Sequence, residues 1–183
     1  GCGVVIPGRG FVMNNTMADF SAKVGVRTTQ GLAYGMANAV RPGKTPLSSM
    51  SPSIVMKDGK PFLSVGAAGG PRIITSTLQL IINAIDYGMM MDSAVKSPHM
   101  CCLTLDQGLE LEEGFSPDTI RILKERGHKI KETSDFGVLL VLPNGIENLD
   151  GAFFPGGTSR VDGGGGVLTE SGAICIDGFC FCK

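Results

Sequence analysis

The segment Gly66-Ala67-Ala68-Gly69-Gly70-Pro71-Arg72-Ile73-Ile74, which runs on to Gly88, decides the fold. Ile73, Ile74, Leu78, Ile81, Ile82 and Ile85 recur at helical spacing, and Gly88 closes the run. Pro71 fits the first helical position, where its missing N–H costs nothing. Gly66–Gly70 reads as a loop, and paired glycines let a backbone approach its neighbours closely. Upstream, Ser53–Met56 and Phe62–Val65 read as strands joined by the turn Lys57-Asp58-Gly59-Lys60. Val4–Ile6 and Phe11–Met13 read as two more around Pro7-Gly8-Arg9-Gly10, and Asn14 to Lys44 as an ordered polar loop. Downstream, a short helix spans Asp92–Lys96, ahead of Pro98. Leu109–Leu111 is a strand. Ser116-Pro117-Asp118 opens a helix with a capping hydroxyl, a proline and an acid in its first turn, and Gly127 ends it. Lys129–Lys131, Val138–Leu142 and Ile146–Leu149 are further strands, the last two joined by Asn144-Gly145 as a hairpin turn; Ala173–Ile176 is one more. Strands outnumber helices, so the pattern predicts an α+β layered fold.

The 183 residues fit a single domain with a real core and a Gly-rich tail over 155–183. Apolar residues are 43% and charged residues 18%, as in folded globular proteins. The formal net charge of −1 excludes a phosphate-tracking surface as the main role, and two Tyr with no Trp give no base-stacking platform. No apolar run is long enough to span a membrane. Six cysteines, at 2, 101, 102, 175, 180 and 182, lack disulfide-scaffold or zinc spacing and read as free thiols. The opening at Gly1-Cys2-Gly3 reads as a cut end of a longer protein.

Two motifs mislead. Gly43-Lys44-Thr45 resembles the end of a phosphate loop, but the required earlier glycine is Asn38, and Pro46 stands where a helix must start. Gly163–Gly166 lacks the strand–helix frame of a dinucleotide fingerprint.

Three segments combine residue types that make a site. Asn14-Asn15-Thr16-Met17-Ala18-Asp19-Phe20 offers amides, a hydroxyl and a carboxylate beside an apolar anchor; Asp19 suits an ammonium group. An Asx-rich turn would use the same residues. Pro42 to Pro52 is stiffened by three prolines and presents the adjacent hydroxyls of Ser48 and Ser49, which suit a carboxylate; a rigid polar loop is the plainer reading. Gly69 and Gly70, ahead of a helix N-terminus, offer backbone N–H groups where negative charge develops. Tight strand–helix packing explains them equally.

In this order, Asn-Asn-x-Met-x-Asp-Phe, Pro-Gly-Lys-x-Pro-Leu-Ser-Ser-Met-Ser-Pro and Gly-x-x-Gly-Gly-x-Arg-Ile-Ile resemble the small subunit of the gamma-glutamyltranspeptidase family. Ile85-Asp86-Tyr87-Gly88 and Gly114-Phe115-Ser116-Pro117-Asp118 extend the likeness over roughly Gly1 to Gly151. The resemblance implies an N-terminal-nucleophile hydrolase with an αββα sandwich, here in part. It implies a gamma-glutamyl transferase or hydrolase that acts on amides such as glutathione through an N-terminal Thr acyl-enzyme. By position, Asp19 would hold the substrate's α-amino group, with Thr16 where the family has Glu or Gln. Ser48 and Ser49 would bind the α-carboxylate, and Gly69 and Gly70 would form the oxyanion hole. The Thr-Thr-His-like start and the large subunit's carboxylate-binding Arg are absent, so this chain alone is expected to be inactive. Ser97-Pro98-His99 stands where Pro-Arg is usual. The implied partner is the large subunit or missing N-terminal part of one precursor, with a homo-oligomer as a further expectation. No cofactor, metal, nucleic acid or membrane is expected; a periplasmic, extracellular or cytoplasmic setting all fit. An amidohydrolase on another amide, of cephalosporin or oxamate type, and a non-catalytic binding module stand as alternatives.

Overall fold

The computed structural model describes residues 2–28, 31–132, 141–160, 166–168, 174–176 and 179–181. The chain forms two compact units, Gly1–Ser48 and Ser49–Lys183.

In the first unit the two expected strands shrink to one antiparallel bridge, Val5 to Val12. Gly3, Gly8 and Gly10 all have φ between 70 and 78°, which interrupts any longer extended run. The polar stretch holds two 3₁₀ turns, Thr16–Asp19 and Met36–Asn38. Phe20 is buried beside the first, as an anchor should be. A parallel bridge joins Ser21 to Ala39.

The second unit is built on strands β1 (Ser53–Lys57), β2 (Lys60–Ala68), β6 (Leu142–Leu149) and β7 (Ala152–Gly156), in the order β1-β2-β6-β7 with every pair antiparallel. The β1–β2 turn is Asp58-Gly59, both at positive φ, the backbone that a two-residue hairpin demands. Helices α1 (Ile73–Ile85) and α2 (Met91–Lys96) cover one face. Leu63 and Val65 meet Leu80, Ala84, Met91, Ala94 and Val95 in the core between them. β3 (Met100–Cys101), β4 (Leu109–Leu111) and β5 (Ile130–Glu132) form a second sheet. Its parallel β4–β5 pair is connected through α3 (Pro117–Glu125). Ser116 caps α3 by accepting from the Thr119 N–H at 3.1 Å, as its sequence announces. Backbone pairing joins β8 (Gly166–Leu168), β9 (Ile174–Ile176) and β10 (Phe179–Phe181). No helix among the described residues is long and apolar enough to cross a membrane.

Several expectations need correction. Gly66, Ala67 and Ala68 are not loop; they continue β2 and pair with Asn144, Pro143 and Leu142. Asn144-Gly145 is not a turn but the interior of β6; the hairpin closes at Asp150-Gly151, both at positive φ. Gly145 is required for a different reason. A Cβ there would lie 2.4 Å from Met91 Sδ, so the glycine makes room for α2 on the sheet. Residues 138–140 of the expected Val138–Leu142 strand, and residues 163–165 of the glycine run, lie outside the described residues. The helix α1 forms where the sequence places it and buries only part of its apolar pattern. Ile73, Ser76, Thr77, Leu80 and Ala84 face inward, whereas Ile74, Leu78 and Ile85 are exposed. The helix is apolar on most of its circumference, so periodicity alone did not pick the packed face.

Candidate functional site

β2 ends at Ala68, and the chain turns through Gly69 at φ 145° and Gly70 at φ 60°. Side chains other than hydrogen rarely tolerate such angles, which is why the pair is glycine. Gly70–Arg72 then forms a 3₁₀ turn before α1 begins at Ile73. Pro71 therefore sits inside this turn and not at the first α-helical residue, a small correction to the sequence reading. The glycines do lie between a strand end and the helix N-terminus.

This turn is fixed on two sides. Ser49 Oγ donates to the Gly70 carbonyl at 2.8 Å, which ties together two of the three segments singled out from sequence. On the other side, Arg72 Nε and Nη2 donate to Glu110 Oε2 at 3.0 and 2.9 Å. Lys131 Nζ reaches Glu110 Oε1 at 3.1 Å. Burial pushes the Glu110 carboxyl up, but hydrogen bonds from Lys131 and Arg72 outweigh it and hold the group below the ordinary glutamate value. The Glu110 clamp could not be seen in the sequence, because its partners are 38 and 21 residues away.

Behind Arg72 lies a small cavity of about 10 Å³ lined by Thr75, Ser76, His99, Met100, Cys101 and Val141. His99 Nδ1 shares a hydrogen bond with Ser76 Oγ at 2.9 Å, and its backbone N–H donates to Glu112 Oε2 at 2.7 Å. Arg160 Nε donates to Glu112 Oε1 at 2.8 Å, and its Nη groups reach the carbonyls of Val95 and Ser97 at 2.8 and 2.9 Å. Both side chains of this ion pair are fully buried. Burial, with the nearby Arg160 charge, lowers the His99 pKa to about 4, so the imidazole is neutral near pH 7. Burial likewise pushes the Cys101 thiol up.

In the first unit, Thr16 and Asp19 lie in the first 3₁₀ turn, both half-buried. The side chain of Asn38, which the sequence reading passed over, donates to the Asp19 carbonyl at 2.7 Å and accepts from the Leu47 N–H at 3.0 Å. Ser48 follows directly and is exposed. Lys44, of the misleading Gly43-Lys44-Thr45, donates to the carbonyls of Ala37 and Ala39; its ammonium serves the loop's own backbone. A cleft of about 590 Å³ at the β1–β2 and β6–β7 turns is lined by Lys57, Phe62 and Asp150 among others, and it includes none of the sequence-predicted site residues. Among the described residues, no group of three or more His, Cys, Asp or Glu is placed to hold a metal ion.

The mixed α/β chain, with its antiparallel four-stranded sheet packed under α1 and α2, superposes on solved gamma-glutamyltranspeptidases, which gives it the fold of an N-terminal-nucleophile hydrolase, here part of an αββα sandwich. The family model for gamma-glutamyltranspeptidase matches residues 1–153, and the chain belongs to the gamma-glutamyltranspeptidase family. The glutathione hydrolase proenzyme of Escherichia coli K12 is 50% identical over 130 residues, which cover 71% of this chain and 22% of that protein. The chain thus spans under a quarter of the length of that curated relative. A variant of the Helicobacter pylori gamma-glutamyltranspeptidase superposes with a TM-score of 0.76 at 39% identity, covering 88% of this chain and 87% of that one. A cephalosporin acylase from Bacillus halodurans gives 0.70 at 28% identity, over 89% of this chain and 28% of that one.

Proposed function

We propose that the protein carrying this chain is a gamma-glutamyl transferase and hydrolase acting on gamma-glutamyl amides such as glutathione. The family supports the reaction class, and the Ser49–Gly70 hydrogen bond is the observation that carries the site. The Ser49 hydroxyl beside the glycine turn supports a site for a carboxylate-bearing acyl group there.

In this reading Asp19 holds the substrate's ammonium and Thr16 flanks it, while Ser48 and Ser49 donate to the α-carboxylate. The nucleophilic Thr belongs to the part of the protein that this chain does not span. Its hydroxyl attacks the gamma carbonyl, and the N–H groups of Gly69 and Gly70 take the oxyanion. Collapse expels the amine and leaves an ester, which water or an acceptor amine then cleaves. A hydroxyl has one proton, so Ser49 cannot donate to Gly70 and to the carboxylate at once. Headgroup binding through that hydroxyl therefore releases the Gly70 carbonyl and couples the two ends of the site. The partner is the large subunit of the same precursor. Ile54, Met56, Ile146 and Phe153, exposed among the described residues on the sheet face opposite the helices, supply a surface for it.

A second reading, an acylase on another amide, draws on Thr16 and on the likeness to the cephalosporin acylase. The test is hydrolysis of gamma-glutamyl anilide against glutaryl anilide, which lacks only the amine, by the complete protein. Preference for the gamma-glutamyl compound is expected, and preference for glutaryl would favour the second reading. Ser48→Ala with Ser49→Ala should raise KM by roughly tenfold or more, since a hydrogen bond to a charged group is worth about 1.5–3 kcal/mol. Unchanged kinetics would reduce both serines to loop residues. The chain by itself is expected to show no turnover.

A further inference from the structure

We propose that Asn38 is a positioning residue that sets the spacing between the amine-binding and carboxylate-binding groups of the substrate site; this rests on the function proposed above. The argument starts from the amide's two ends. Asn38 Nδ2 donates to the carbonyl of Asp19 itself, and Asn38 Oδ1 accepts from Leu47, the residue before Ser48. One rigid planar group therefore spans two segments that are 28 residues apart in sequence. An amide is the side chain suited to this task, because it donates at one end and accepts at the other.

The amide is itself held. The Asn38 carbonyl accepts from the Ser21 N–H at 2.9 Å, and its N–H donates to the Gly35 carbonyl at 3.1 Å. Ser21 Oγ also donates to the Gly35 carbonyl at 3.1 Å. Lys44 draws in the carbonyls on either side of Asn38, those of Ala37 and Ala39. Five hydrogen bonds thus fix the backbone of the 3₁₀ turn from which the amide projects. The side chain is half-buried, so its geometry is not left to solvent. A substrate headgroup carries its ammonium and carboxylate on one carbon. Asp19 and Ser48 must therefore keep a set separation, and a small displacement costs binding at both.

Substitution separates the two halves. Asn38→Ala loses both bonds. Asn38→Asp keeps the acceptor for Leu47 but sets a carboxylate against the Asp19 carbonyl. The assay uses the complete protein and three anilides: gamma-glutamyl, glutaryl, which lacks the amine, and 4-aminobutanoyl, which lacks the carboxylate. Asn38→Ala should lower the preference for gamma-glutamyl over both analogues by about tenfold, through KM more than kcat, a loss comparable to one charge-assisted hydrogen bond. Asn38→Asp should lower the preference over glutaryl while keeping that over 4-aminobutanoyl. A merely structural role would slow all three substrates in parallel and leave the ratios unchanged, which would overturn the proposal. Amide exchange at Leu47 gives a readout apart from activity: it should accelerate in Asn38→Ala and stay slow in Asn38→Asp. Slow exchange in both variants would also overturn it. A wild-type protein with no preference for gamma-glutamyl anilide would instead refute the underlying function.

Discussion

Replacing Arg160 by Met tests the buried centre of the second unit. Arg160 lies beyond residue 153, where the family match ends, yet its side chain is fully buried against Glu112. It makes two bonds to that carboxylate, at 2.8 and 2.5 Å, and satisfies the carbonyls of Val95 and Ser97 at the end of α2. Methionine fills much of the space but donates nothing. The Glu112 carboxylate would then keep only the His99 backbone N–H among the bonds described, and two carbonyls would lose a donor. Removing one partner of a buried ion pair costs about 3–5 kcal/mol. For a chain of this size each kcal/mol moves the melting temperature by about 2–4 °C, so a fall of roughly 10 °C is the central expectation. Thermal unfolding followed by far-UV circular dichroism measures it. The double variant Arg160→Met with Glu112→Gln should recover much of the loss, because the glutamine oxygen still accepts from His99 while the stranded charge is gone. A melting temperature within about 1 °C of wild type for the single variant, well under the shift that 1 kcal/mol produces, would refute the reasoning.

Three further outcomes follow from the same core and its neighbours. His99 titrates at about 4 in the folded chain against about 6.5 unfolded, so the unfolded chain binds the extra proton between those values. Stability should be full above pH 6.5 and fall by roughly 3 kcal/mol as the pH drops to 4, and His99→Gln should flatten that part of a stability–pH curve; an unchanged slope would show that His99 is not its source. Gly156→Ala should destabilise more than Gly145→Ala, by about 1–3 kcal/mol, because its Cβ would lie 2.6 Å from the Met91 carbonyl oxygen, whereas at Gly145 the nearest atom is the movable Met91 Sδ; equal denaturation midpoints would count against this packing. Glu110→Gln should weaken the Arg72 clamp and, with Gly69 and Gly70 in the oxyanion role proposed for them, lower kcat of the complete protein on gamma-glutamyl anilide with little change in KM; a change confined to KM would place the clamp elsewhere.

Elements governed by short-range chemistry were legible in the sequence. The Asp58-Gly59 hairpin, the Ser116-Pro117 cap and the span of α1 all follow from residues within a few positions of one another. The misreadings share one cause. Asn144-Gly145 has the composition of a turn, but its conformation is decided by Val65 across the ladder and by Met91 on the helix above. Which face of α1 packs is decided in the same way. Ile74 and Leu78 are as apolar as Leu80, and only tertiary packing distinguishes them.

The site divides along the same line. Asp19, Ser48, Ser49, Gly69 and Gly70 were reached from the chemistry their side chains or backbones offer a ligand, because a carboxylate, adjacent hydroxyls and paired glycines are conspicuous residue types. Asn38, Glu110, Glu112 and Arg160 stand in no motif that marks them. Their partners are other parts of this chain, 9 to 65 residues away, and that work becomes visible only when the backbone brings the ends together. Lys44 shows the converse. Its setting after Gly43 invites a phosphate, yet its ammonium is aimed at two carbonyls of its own loop. A residue's type states which bonds it can make, and the fold decides whether a substrate or the chain itself receives them. The group proposed to set the spacing of the substrate site therefore had to come from the structure, although the groups proposed to touch the substrate did not.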